Sequence, residues 1–184
     1  SSALAQGGAA VRLAADLAES VARHAAGESA EKSARELAEF GGTKMIREVL
    51  EQAEREGGEG LMKQVAAQTE KHGLLALQAL KGAPAPVLRA LDGVPAELAE
   101  NSLRALVREP VAMQKLATEF GSSALETAAK HPGLAVPIGS KLGGEGLDAA
   151  RRLTLDQATA LSRHADDLAK LPAAERSQFL TMIK

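Results

Sequence analysis

Apolar residues recur along this chain at spacings of three and four, and glycine or proline interrupts the pattern at short intervals. That combination predicts short amphipathic helices separated by tight stops. Over residues 3–26, Leu4, Val11, Leu13, Leu17 and Val21 form the apolar stripe, and Arg12, Asp16, Glu19 and Arg23 supply charged partners on the wet side. Gly27 stops that helix, and a second is expected from about Glu28 to Phe40, ended by Gly41-Gly42. Thr43 is placed to cap a third helix carrying Met45, Ile46, Val49, Leu50 and Ala53, closed by Gly57-Gly58. Leu61, Met62, Val65 and Ala66 mark a fourth, ending at Lys71-His72-Gly73.

The pattern continues in shorter pieces. Residues 74–81 form a brief apolar helix stopped by Gly82, and Val87 to Leu91 make one or two turns before Asp92-Gly93. Pro95 opens a helix to residue 108, with Leu98, Leu103, Leu106 and Val107 as its expected core face. Pro110 opens the next, carrying Met113, Leu116 and Phe120 up to Gly121. Ser122 reads as the cap of a segment ending at His131, before Pro132-Gly133. Helical patterning is poorest over 134–142, which is apolar but contains Pro137 and Gly139. Thr154 and Gln157 have the spacing of a capping box, opening a helix to about Lys170, and Pro172 begins a last helix through Phe179 and Ile183. No segment alternates with period two over a useful length. The fold expected is all-α, with ten to thirteen short helices in a solenoid-like or compact multi-helix bundle arrangement.

Two sets of marks recur. Glu39-Phe40-Gly41 precedes Gly57-Gly58-Glu59-Gly60-Leu61 and then Lys71-His72; Glu119-Phe120-Gly121 precedes Gly143-Gly144-Glu145-Gly146-Leu147 and then Arg163-His164. They read as a degenerate helical repeat of about 80 residues, with insertions in the second copy because Phe120 to Gly143 is longer than Phe40 to Gly57. The organisation expected is an N-terminal helical pair over 1–39 and a repeat domain over 40–184, with related halves at about 40–118 and 119–184.

All four histidines follow a basic residue, in Arg23-His24, Lys71-His72, Lys130-His131 and Arg163-His164. Cations in a last helical turn face the negative end of the helix dipole, so a structural role accounts for them. Ala129-Lys130-His131-Pro132-Gly133 and Lys71-His72-Gly73 also resemble helix endings in uncharacterised bacterial exported, membrane-anchored helical-repeat proteins. The resemblance spans about residues 40–184. It implies an extracytoplasmic or periplasmic fragment cut before its anchor, and no known activity.

Composition narrows the chemistry. The chain has 184 residues, enough to bury a core of its own. That core must be aliphatic, because three Phe and no Tyr or Trp are present. Twenty-two basic and 24 acidic residues give a net charge of −2, so no general attraction to nucleic acid or anionic lipid follows. Without cysteine, disulfides, thiolate metal sites and thiol nucleophiles are excluded. No stretch is apolar for long enough to span a membrane, so membrane attachment is expected only through segments outside this chain. The start at Ser1 and the stop at Lys184 within an apparent helix suggest an excised piece or a processed product.

No catalytic, cofactor-binding or metal-ligating residue emerges. His164 with Asp166 and Asp167 is the one tight His/carboxylate group, but helical neighbours at i+2 and i+3 diverge. Gly58-Glu59-Gly60 and Gly144-Glu145-Gly146 precede helices but lack the lysine and Ser/Thr of a phosphate loop and follow no strand. Ser140-Lys141 are adjacent and so face different ways, and the pairs Glu54/Glu56 and Asp166/Asp167 read as surface charge. The amphipathic stripes of 3–26 and 154–184 could each dock a partner helix or a second copy of the chain. The function expected is therefore a non-catalytic helical structural or protein-interaction module, with no cofactor. The alternative is a hydrophobic-ligand or lipid-binding module, in which small aliphatic side chains leave a cavity.

Overall fold

Four glycines turn the chain through one narrow region of backbone space. In the computed structural model, Gly58 (φ 79°, ψ −169°), Gly73 (φ 59°, ψ −134°), Gly121 (φ 67°, ψ −144°) and Gly143 (φ 65°, ψ −157°) each separate two helical segments with a single residue. This positive-φ, extended-ψ region is essentially closed to residues with a Cβ. The structure describes the backbone of residues 2–25 and 42–183, and the side chains of residues 8–22 and 42–183. The helix expected over Glu28–Phe40 and the Glu39-Phe40-Gly41 mark lie outside the described residues, as do the side chains of Arg23 and His24.

The described residues form eleven helices and no strand, the all-α fold that the periodicity predicts. Two compact units, Ser1–Leu88 and Arg89–Lys184, divide the chain. In the first, α1 (Ser2–Ala25) packs along α2 (Gly42–His72), followed by α3 (Leu74–Leu80) and the start of α4 (Ala85–Asp92). Gly58 breaks α2 where the third and fourth expected helices meet. The buried stripe of α1 is Ala10, Ala14, Leu17 and Val21, whereas Val11 is 47% exposed. The expected stripe was centred too far toward the larger side chains. Alanines at the contact let helix axes approach toward the close end of the roughly 8–10 Å range, so the face of smallest residues turns inward.

The second unit contains α5 (Ala96–Arg108), α6 (Pro110–Phe120), α7 (Ser122–Lys130), α8 (Ala135–Arg151), α9 (Leu155–Arg163), α10 (Ala165–Ala169) and α11 (Ala173–Met182). The same rotation toward small residues occurs on α5. Ala99, Ser102, Leu103 and Leu106 are buried, and the expected core residue Val107 is 39% exposed. Ser102 satisfies its hydroxyl by donating to Leu125 O at 3.2 Å. Ser122 also departs from expectation. Gly121 takes the N-cap position of α7, and the Ser122 hydroxyl donates to Ala90 O at 2.8 Å.

The stretch with the poorest helical pattern opens the central helix of this unit. α8 touches α6, α7, α9, α10 and α11. Pro137 lies in its first turn, where a missing N–H costs nothing. Gly139 is a contact surface: a Cβ there would stand 2.7 Å from Leu116 Cδ1 of α6. Gly143 then re-aims the helix, with Ile138 and Leu142 buried before the corner and Leu147, Ala149 and Ala150 buried after it. The Thr154–Gln157 capping box forms as expected, with bonds of 3.2 and 2.9 Å. The helix expected to run on to Lys170 is divided at His164 (φ −96°, ψ 7°) into α9 and α10.

The corners generate a prediction of sign. Gly121 and Gly60 both have open space where a Cβ would go, but only Gly121 has positive φ. Gly121→Ala should destabilise the protein by about 1–3 kcal/mol. Gly60→Ala should stabilise it, by up to about 1 kcal/mol. Urea unfolding followed by circular dichroism separates the two; midpoint shifts in the same direction would contradict the corner assignment.

Candidate functional site

The tight helix packing of the second unit leaves polar groups to be satisfied inside it, and α7 supplies donors to the carbonyl end of α8. The Thr127 hydroxyl donates to Ser123 O at 2.7 Å or to Leu147 O at 3.0 Å. His131, only 4% exposed, places Nε2 2.8 Å from Ala150 O. A carbonyl only accepts, so the contact requires a proton on Nε2, and the buried Nδ1 has no hydrogen-bond partner among the described residues. Lys130 Nζ reaches Arg151 O at 3.2 Å. The Lys130-His131 pair thus fastens the end of α8 as well as ending its own helix: Lys130 meets the Arg151 carbonyl at the helix terminus, and His131 adds a side-chain donor to Ala150 O, which Leu153 N also reaches at 3.1 Å. Beside it, Arg151 pairs with Glu126 and, at 2.6 Å, with Asp148. Burial works against the Arg151 charge, but these two carboxylates outweigh it and raise the pKa.

The residues weighed for chemistry are drawn apart. Asp166 is not directed to His164; its Oδ1 lies 2.7 Å from Lys141 Nζ, which also takes Lys141 away from Ser140. Glu145 accepts from the Ser177 hydroxyl at 2.7 Å, tying α8 to α11. Glu59 pairs with Lys63 at 3.0 Å. Among the described residues, no three His, Asp or Glu side chains stand together as a metal site would need, and no helix is long and apolar enough to cross a membrane. The glycine-rich marks serve as corners rather than cradles, with the positive-φ residue second in one mark (Gly58) and first in the other (Gly143).

What remains is an apolar groove of about 530 Å3 at the C-terminal end of the second unit, open to solvent. One wall is a stripe of α9 at spacings of three, one and three: Gln157, Ala160, Leu161 and His164. The opposite wall is Phe179 and Ile183, four residues apart. Leu153 and Leu168 complete its apolar surface, and Asp167 contributes a carboxylate. Phe179 is 43% exposed, and Met182, beside it on α11, is 68% exposed. Full burial of such a side chain is worth roughly 1.5–3 kcal/mol, so a ring left half in water forgoes about half of that, and this surface is underused by the fold itself. Both walls fall within the 154–184 stretch expected to dock a partner, but periodicity does not say that its two helices leave an open channel between them.

The Lys141–Asp166 pair, which ties α10 to α8 near this groove, has a testable pH dependence. The Lys141 hydrogen bond, then its charge, holds the exposed Asp166 carboxyl below the usual carboxylate range. A depressed folded-state pKa means that the stabilisation is present above the unfolded value and is lost as pH falls through the folded one. The stability difference between wild type and Lys141→Met should therefore be small and positive at pH 7, shrink below about pH 4, and fall in high salt. Urea midpoints at pH 7 and pH 3 measure it; a difference that grows on acidification would contradict the pairing.

No protein-family model, curated protein or solved structure matches this chain.

Proposed function

We propose that this chain is a non-catalytic helical module that binds a protein partner, and that the α9–α11 groove is its docking surface. The observation that carries the reading is the half-exposed Phe179 on the wall of an open apolar channel. Aromatic anchors in such settings dominate interface energetics, while a polar rim excludes water around them. The pairing of Asp166 with Lys141, rather than with His164, also favours recognition over catalysis. A second reading, an apolar small-molecule site, draws support from the groove volume, which falls within the roughly 300–1,000 Å3 of ligand pockets.

Isotope-edited NMR of the whole chain tests both. A model amphipathic helix of leucine and alanine on one face should shift resonances of α9–α11. Phe179→Glu should weaken that binding about thirtyfold, a hot-spot loss near 2 kcal/mol. Val111→Glu, on a residue 83% exposed on α6, should leave it unchanged. Unmoved groove resonances would remove the protein-docking reading. Shifts from dodecanoate alone would favour the small-molecule reading.

A further inference from the structure

The groove has walls of a particular kind, and they narrow what fits it. Residues 157, 160 and 161 of α9, with His164 at its C-cap, span two helical turns, roughly 10 Å at 1.5 Å per residue; opposite them stand Phe179 of α11 and Ile183, the extended residue that ends α11. The α9 wall is a ridge of helical spacing, which interlocks best with the ridges of another helix. Ala160 is the smallest side chain on the α9 wall.

The charge at the rim is asymmetric. Asp166 is engaged by Lys141, but the Asp167 carboxylate, which faces the groove, has no ion-pair or hydrogen-bond partner among the described residues. We infer that the occupant is an amphipathic helix whose aliphatic stripe is bordered by lysine or arginine, with the cation set against Asp167 while aliphatic side chains fill the channel between Ala160 and Phe179. The inference rests on the protein-docking reading above and adds the sign of the partner's charge. An acidic border would meet a like charge at the same rim, which disfavours such a partner on encounter and in the complex.

Two model helices of about five turns, with the same leucine and alanine stripe and either lysine or glutamate at its borders, are titrated into the 184-residue chain at low salt. The lysine-bordered helix should bind roughly three- to tenfold more tightly. The preference should vanish in Asp167→Asn, reverse in Asp167→Lys, and persist in Glu175→Gln, an exposed carboxylate of α11 that does not line the groove. Equal binding of both helices at the groove, or a preference that survives Asp167→Asn, would overturn the inference and leave the docking surface standing. Failure of both helices to shift groove resonances would overturn the two together. Circular dichroism of each variant confirms that the fold is retained.

Discussion

The carbonyl end of α8 is the point on which the second unit depends. Five helices lie against α8, and Leu147, Ala149 and Ala150 near its end are fully buried. Thr127, Lys130 and His131 of the α7 segment add side-chain donors there, to Leu147 O, Arg151 O and Ala150 O, and the last of these also accepts from Leu153 N. A buried carbonyl without a donor costs about as much as a lost hydrogen bond, and often more. Such a cost would fall on the helix against which α6, α7, α9, α10 and α11 all pack. The Lys130-His131 pair therefore belongs to the architecture, and its chemistry is that of hydrogen-bond donation to backbone.

Small residues set how close these helices come. Ala10 and Ala14 on α1, Ala99 and Ser102 on α5, and Gly139 on α8 occupy contact positions where larger side chains would hold neighbours apart. With no tryptophan or tyrosine in the chain, close approach replaces bulk as the source of packing. Leucine, isoleucine and methionine fill the spaces between these contacts, as Leu103, Met113 and Ile138 do, while Val11, Val107 and Phe179 are left at the margins. At α9–α11 the margin becomes a groove, and Phe179 stands there with only one side covered.

The parts of this structure visible in the sequence were those with a local cause. The Thr154–Gln157 box, the proline starts at residues 95 and 110, and the stops at Gly73 and Gly121 depend on neighbours a few positions away. The parts that were not visible depend on residues far along the chain. Nothing near Val11 or Val107 says that alanine will face inward; the approaching helix decides that. Pro137 and Gly139 look like helix breakers in isolation, yet one lies in a first turn and the other admits Leu116. The groove is legible only as the amphipathic stretch 154–184, because how its two helices stand against each other depends on their contacts with α8 rather than on local periodicity.

The single-glycine corners limit how such a chain can change over evolutionary time. A loop of several residues can absorb an insertion by bulging outward, but a joint one residue long has no slack. Adding a residue beside Gly121 would redirect everything after it by a large rotation rather than lengthen a turn. Inserted segments are therefore expected to accumulate at the longer connections, such as the one around Pro132-Gly133 between α7 and α8, while the glycine joints keep their length.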